Sequence, residues 1–269
     1  MSDIVFVSFG NSPNWSHAKY RLKKSIKKYF PNSDILILDQ NWLMKHKFYR
    51  DNVSFFNTNP RGFGLWTWKP LVILEAFNQF PNSKFVVYLD SGCELNINSK
   101  SINRFYEYLH LARDYGALGF ELRRFEKKWT STYTYKYLKP KYSNSKQIQA
   151  SFLIFSRTRR TYLFVKKWLG YMALDNFSLT KGIKNSQPGL NLANHRHDQS
   201  ILSIIYHKEK FAIISDESWF NGKWNSGSGS PIWVARNRLL VSINSNKYIL
   251  VFFKIILRVH VKFTSFFHA

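Results

Sequence analysis

Arg61-Gly62-Phe63-Gly64-Leu65-Trp66-Thr67-Trp68-Lys69-Pro70, followed by Phe85-Val86-Val87-Tyr88-Leu89-Asp90-Ser91-Gly92-Cys93-Glu94, is the stretch on which the reading of the fold turns. The first part is a basic, aromatic loop punctuated by glycine, and Pro70 suits the first turn of a helix running to residue 80, because its fixed φ and missing N–H cost nothing there. The second part is an apolar run of strand length that stops at a carboxylate. Open α/β sheets bind ligands at the carboxyl edge of their strands. The two parts together predict a helix feeding a buried strand that presents Asp90 beside an anionic, nucleotide-linked ligand.

Working outward, Ile4-Val5-Phe6-Val7-Ser8-Phe9-Gly10 is closed by Asn11-Ser12-Pro13 and predicts a first buried strand with a loop at its carboxyl end. A helix is expected over 15–30, with Lys23, Lys24, Lys27 and Lys28 on its solvated face, and a second strand over 34–39. Strand and helix alternate through the first ninety residues, which implies right-handed parallel crossovers and a nucleotide-binding half. Further on, helices are expected over 101–114 and 161–174, and strands over 117–121, 149–155 and 211–214. His195-Arg196-His197-Asp198-Gln199-Ser200 opens an apolar helix that ends at residue 206. Residues 123–146 show no period, a pattern typical of functional or mobile segments, and the Gly, Ser, Asn and Trp of 219–230 suit a loop over a site.

At 269 residues, with 45% hydrophobic and 18% aromatic side chains, the chain has ample material for a core. The net charge of +24, from 40 Lys and Arg against 16 Asp and Glu, restricts partners to anions: nucleic acid, anionic lipid or a phosphorylated substrate. Within 123–167 there are thirteen cations and one acid, Glu126. Cys93 is the only cysteine, which excludes an intrachain disulfide and multi-cysteine zinc sites and fits a reducing cytoplasm. No basic leader precedes the first strand, so no signal peptide is expected.

The end of the chain, 248–267, is apolar but interrupted by Lys254, Arg258 and Lys262 along one helical face, which argues against a spanning helix. A basic amphipathic C-terminal helix is expected, lying on an anionic membrane surface or docked on the core by its apolar side. The expected division is a catalytic domain over 1–238 and this segment over 239–269.

A carboxylate directly after the run 85–89 is costly to bury without a partner, so a metal, a cation or backbone donors should sit against Asp90. Gly92 leaves the backbone open there, and Glu94 supplies a second acid. That is the minimum a hard divalent ion needs when substrate phosphates and water complete its shell. The plainer alternative makes Asp90 a turn residue. Asp198, at a helix start, is likewise either a functional acid or an N-terminal cap.

Tyr88-Leu89-Asp90-Ser91-Gly92-Cys93, preceded by the Gly-aromatic-Trp-Lys-Pro segment, resembles the GT-A glycosyltransferases of the bacterial polysaccharide-synthesis type. His197-Asp198-Gln199-Ser200-Ile201-Leu202-Ser203 is similar to the Asp-Gln-Asp-x-Leu-Asn segment of glycogenin-like and lipopolysaccharide galactosyltransferase-like enzymes, matching at Asp198, Gln199 and Leu202. The resemblance implies a Rossmann-type, mainly parallel sheet flanked by helices. It also implies transfer of a sugar from a nucleotide-diphosphate donor to a glycan or lipid-linked acceptor in surface polysaccharide synthesis.

In that frame Asp198 and Gln199 lie beside the reacting sugar, Ser8, Phe9, Gly10 and Asn11 contact the nucleoside, and Gln149 and Ser151 face the acceptor. Asp90, Ser91 and Gly92 would contact the substrate, and Asp90 alone would hold Mn2+ or Mg2+, since the second Asp of Asp-x-Asp is here Gly92. Lys69 and Arg61 would stabilise the charge developing on a diphosphate leaving group. Trp66 and Trp68 would stack on a sugar or base, and His195 and His197 are candidate bases or ligands. Two other readings stand beside this one. In the first the tyrosine-rich basic stretch binds nucleic acid, although no zinc-finger spacing or RNP-like segment accompanies it. The second is a GT-A-like protein without activity.

Overall fold

The computed structural model describes residues 3–11, 15–184, 187–188 and 191–243. Seven strands form the central sheet: β1 (Ile4–Phe9), β2 (Asp34–Leu38), β3 (Phe85–Leu89), β4 (Ala117–Phe125), β5 (Lys146–Ile148), β6 (Phe152–Ser156) and β7 (Ala212–Ser215). Their order is β7-β4-β6-β3-β1-β2, with β5 also pairing β4. β1, β2 and β3 pair in parallel, as do β4 and β7, whereas β6 runs antiparallel between β3 and β4 and β5 runs antiparallel to β4. Five strands therefore point one way, and a mixed, mostly parallel α/β sheet results.

Five long helices cover it: α1 (Ser16–Tyr29), α2 (Trp68–Gln79), α3 (Ser99–Tyr115), α4 (Arg159–Lys181) and α5 (Asp198–Tyr206). Side chains alternate across a strand, and both faces of this sheet are buried. Val86 and Tyr88 of β3, with Leu153 and Phe155 of β6, join the core beneath α2, α4 and α5. Val87 and Leu89, with Phe152 and Ile154, join the second core under α1 and α3. This double burial explains why 85–89 reads as an unbroken apolar run.

Three elements differ from the sequence expectation. Residues 123–146 are folded: β4 continues to Phe125, and helical turns follow at Glu126–Trp129 and Thr132–Leu138. Beside the core contacts of Leu138 and Tyr133 they are held by polar groups, since buried Glu126 accepts hydrogen bonds from Thr130 Oγ1 (2.5 Å), Gln147 Nε2 (3.1 Å) and Ser203 Oγ (2.5 Å). Burial raises the Glu126 pKa to about 7. The expected strand 149–155 begins only at Phe152, and residues 149–151 link it to the short β5 that precedes them. α4, opened by a Thr158–Thr161 capping box, outruns the expected 161–174 and is interrupted where Asp175, Asn176 and Phe177 take positive φ.

The expected C-terminal helix lies outside the described residues. Residues 239–243, which the expected division assigns to the tail, are tied to the body of the fold: Ser242 Oγ and Ile243 N donate to buried Glu94. Among the described residues no helix is long and apolar enough to cross a membrane.

Candidate active site

The carboxyl ends of β1 and β3, the start of β6 and the N-termini of α2 and α5 meet along one edge of the sheet. They line a cleft of about 480 Å3. Leu89 opposite Phe152 sets the register, and Asp90 N donates to Ser151 O at 2.8 Å, so the turn before β6 lies directly beside Asp90.

Lys69 is at the centre. It sits in the first turn of α2, is 4% exposed, and its Nζ lies 2.9 Å from Asp198 Oδ2, 3.3 Å from Asp90 Oδ1 and 3.0 Å from Ala150 O. The ammonium donates a hydrogen bond to the Ala150 carbonyl and lies within ion-pair distance of both carboxylates, while Asp198 Oδ2, although buried, takes no hydrogen bond from the described residues. Burial lowers the Lys69 pKa, but the carboxylates of Asp198 and Asp90 outweigh it and the net shift is upward. Burial also raises the Asp198 pKa to about 6, against the opposing pull of Lys69. Asp90 is more open, with 33% of its side chain accessible, and its Oδ1 accepts from buried Tyr88 at 2.7 Å. Lys69 thus holds two carboxylates in place, which differs from the expectation that its ammonium points at a ligand.

The loop before α2 has an unusual backbone. Gly62, Phe63, Gly64, Leu65 and Trp66 are consecutive residues with positive φ, at a cost of about 1–2 kcal/mol for each non-glycine. It is clamped by Trp68 Nε1 to Gly62 O (2.9 Å) and Thr67 Oγ1 to Gly64 O (2.8 Å). The result places Arg61, Trp66 and Trp68 on the cleft wall, Trp68 stacked 4.0 Å from Phe9 and Trp66 stacked 6.1 Å from His197. Such strain commonly accompanies a functional site.

Phe9, Gly10, Asn11, Ser91, Gly92 and Ser151 also line the cleft. Gln199 lines it too and donates to Gln147 Oε1 at 2.8 Å, linking the cleft to the Glu126 cluster. His197 donates from Nδ1 to Thr180 O at 2.9 Å, and its Nε2 is buried with no protein partner. Burial, with Arg61 and Arg196 adding repulsion, lowers its pKa to about 4, so it presents a neutral imidazole acceptor. Ser8, Gln149 and His195 lie off the cleft wall. Ser8 is buried, and Gln149 Nε2 donates to Asp216 and Ser218 at 2.9 Å. His195 braces Ser131 N and the carbonyls of Leu179 and Thr180.

Sequence reasoning missed Tyr88 as the partner of Asp90, and it missed Arg196, Arg236 and Arg238, all three of which line the cleft. No local motif marks Ala235-Arg236-Asn237-Arg238; it is held at the site by long-range contacts, among them Asn237 N donating to Gly92 O at 3.0 Å.

The donor set does not suit a divalent metal. Among the described residues no three His, Cys, Asp or Glu side chains converge as a metal centre. Asp90 Oδ1 already receives Tyr88 and Lys69, and Glu94 is directed into its own bonds with Asn237, Ser242 and Ile243. Instead, five cations (Lys69, Arg61, Arg196, Arg236 and Arg238) share the cleft with two carboxylates, Asp90 and Asp198. That balance calls for an anionic ligand.

No protein-family model matches the sequence, and no curated relative does. Among solved structures, the chain is similar to a glycosyltransferase involved in the glycosylation of the major capsid of PBCV-1, with a TM-score of 0.50 and 11% identity over 86% of this chain and 91% of that one. It is also similar to the bifunctional glycosyltransferase WbbM, with a TM-score of 0.47 and 10% identity, of which it covers 45% with 86% of its own length. A third is the galactosyltransferase LgtC in complex with donor and acceptor sugar analogues, with a TM-score of 0.43, 14% identity and 86% coverage of both chains. The fold is of the GT-A type.

Proposed function

We propose that this protein is a glycosyltransferase that moves a sugar from a nucleotide-diphosphate donor to a glycan or lipid-linked acceptor in surface polysaccharide synthesis. The observation that carries the reading is the Asp90–Lys69–Asp198 bridge at the floor of a cationic cleft, on the strand edge where a GT-A fold opens.

In the transfer, the bond from the sugar C1 to the β-phosphate oxygen breaks and its electron pair leaves with the nucleoside diphosphate. The acceptor oxygen bonds to C1 and loses its proton. Asp198 acts as general base if the configuration inverts, or supports the positive charge developing on the sugar if it is retained. Lys69 keeps Asp198 ionised and oriented. Asp90 and the His197 Nε2 lone pair accept sugar hydroxyls, and Phe9, Gly10, Asn11, Trp66 and Trp68 frame the nucleoside and sugar. Arg61 stabilises the departing diphosphate. The working location is the cytoplasmic face of a membrane, where the cationic surface of the chain meets anionic headgroups.

The test is turnover of UDP-, GDP- and CMP-sugars by the purified chain. Asp90→Ala and Asp198→Ala should each lower hydrolysis and transfer by at least about a hundredfold; unchanged rates in both variants would remove these residues from the site.

A further inference from the structure

The turn that follows Asp90 is covered by a distant segment. A Cβ at Gly92 would lie 2.9 Å from Arg236 Cα, 3.1 Å from the Arg236 carbonyl carbon and 3.1 Å from the Trp15 ring. The backbone of residue 236 therefore fills the space into which a second carboxylate would project.

That segment is anchored from beneath. Asn237 is buried; its Nδ2 donates to Glu94 Oε1 at 2.5 Å, its backbone N to Gly92 O at 3.0 Å, and its carbonyl accepts from Arg21 at 3.0 Å. The flanking Arg236 and Arg238 are exposed at the cleft, their guanidinium carbons 5.8 Å from the Trp219 ring and 4.6 Å from the Trp15 ring. Among the described residues, neither forms an ion pair with a carboxylate, and the same holds for Arg61 and Arg196. Burial lowers the Arg196 pKa, and repulsion from Arg124, Arg236 and Arg61 lowers it further, so Arg196 sits close enough to Arg236 and Arg61 to be repelled by them. A diphosphate, with adjacent anionic oxygens, matches the fork of an arginine and relieves that repulsion.

Resting on the sugar-nucleotide reading above, we propose that Arg236 and Arg238, held beside Asp90 by the Asn237 anchor, bind the donor diphosphate directly and neutralise it in the place a divalent metal would take, so that donor binding and transfer are metal-independent. The leaving nucleoside diphosphate keeps its electron pair, and the guanidinium hydrogen bonds shorten as its charge grows.

The experiment is calorimetric titration of the full chain with UDP, GDP, CDP, ADP and dTDP, in EDTA and in Mn2+, for the wild type, Arg236→Gln, Arg238→Gln and the double variant. At least one nucleoside diphosphate should bind in EDTA within about threefold of its affinity in Mn2+. Each single variant should weaken it about tenfold and the double variant about a hundredfold, while the matching nucleoside monophosphate changes far less. Binding that appears only with Mn2+, or binding in EDTA that neither substitution weakens, overturns this proposal and leaves the sugar-nucleotide reading standing. No binding of any nucleoside diphosphate or sugar nucleotide under either condition overturns both. Both side chains are exposed, so the variants should keep the wild-type melting temperature; if one does not, the other and the EDTA comparison decide.

Discussion

The ammonium of Lys69, from the first turn of α2, lies 2.9 Å from the carboxylate of Asp198, at the first turn of α5, with almost no water reaching either group. Removing one partner of a buried pair leaves the other charge uncompensated, which typically costs about 3–5 kcal/mol. Lys69→Met should therefore destabilise the fold by roughly that amount in urea unfolding. Lys69→Met combined with Asp198→Asn should recover part of the loss, because the stranded charge is gone. Simple additivity of the two single effects would contradict the coupling.

Asp198 also predicts an acid limb in the pH–rate profile. Its folded pKa is raised by burial to about 6, so turnover should fall as the pH drops through about 6, and Asp198→Asn should be slow with that limb missing. The linkage to stability has its own sign. Between the ordinary carboxylate pKa and about 6 the native state holds a proton that the unfolded chain releases. This group's contribution is thus fully present below the unfolded pKa and lost as pH rises through 6.

His195 works in the opposite direction. Burial, with His197 nearby, lowers its pKa to about 3, whereas an unfolded histidine titrates near 6.5. The unfolded chain therefore binds a proton that the native imidazole refuses. Its contribution is present above about 6.5 and is lost as pH falls toward 3, at up to about 1.4 kcal/mol per unit. In His195→Gln the acid-side slope of stability, measured by urea unfolding between pH 4 and 6.5, should be shallower by up to that amount.

Two glycines separate backbone strain from packing. Gly64 has φ +80° and a Cβ there would run into the Phe56 ring, whereas Gly222 has φ +81° and nothing within 4 Å. Gly222→Ala should cost about 1 kcal/mol for the left-handed backbone alone. Gly64→Ala should cost about 1–3 kcal/mol more and should also weaken sugar-nucleotide binding, since it displaces the loop that carries Trp66. Equal melting temperatures for the two variants would mean the loop yields freely.

Glu126 supplies a further contrast. Burial raises its pKa to about 7 despite three hydrogen bonds, so ionisation above 7 opposes the native state. Glu126→Gln keeps the shape, and its melting temperature relative to the wild type should rise from pH 5 to pH 8.

Much of this molecule was readable along the chain because its signals are local. A strand buried on both faces is a continuous apolar run, as in 85–89, and a helix that begins at a ligand edge carries its own start signal, as at Lys69-Pro70 and Asp198-Gln199. These indicated the α/β class and pointed to the strand edge that holds the cleft, with Asp90 and Asp198 as candidates there. Folding added the relationships between positions far apart in sequence. Nothing near Lys69 indicates that it pairs with Asp90 and Asp198 and donates to the Ala150 carbonyl, and nothing near Gly92 indicates that Arg236 occupies the space a second acid would need. Residues 123–146 looked patternless because a buried polar cluster, unlike an apolar stripe, has no period. Charge pairing and steric exclusion are set by distance in space, so the chain could display the acids and the cations, and the folded sheet edge alone assigned which of them meet.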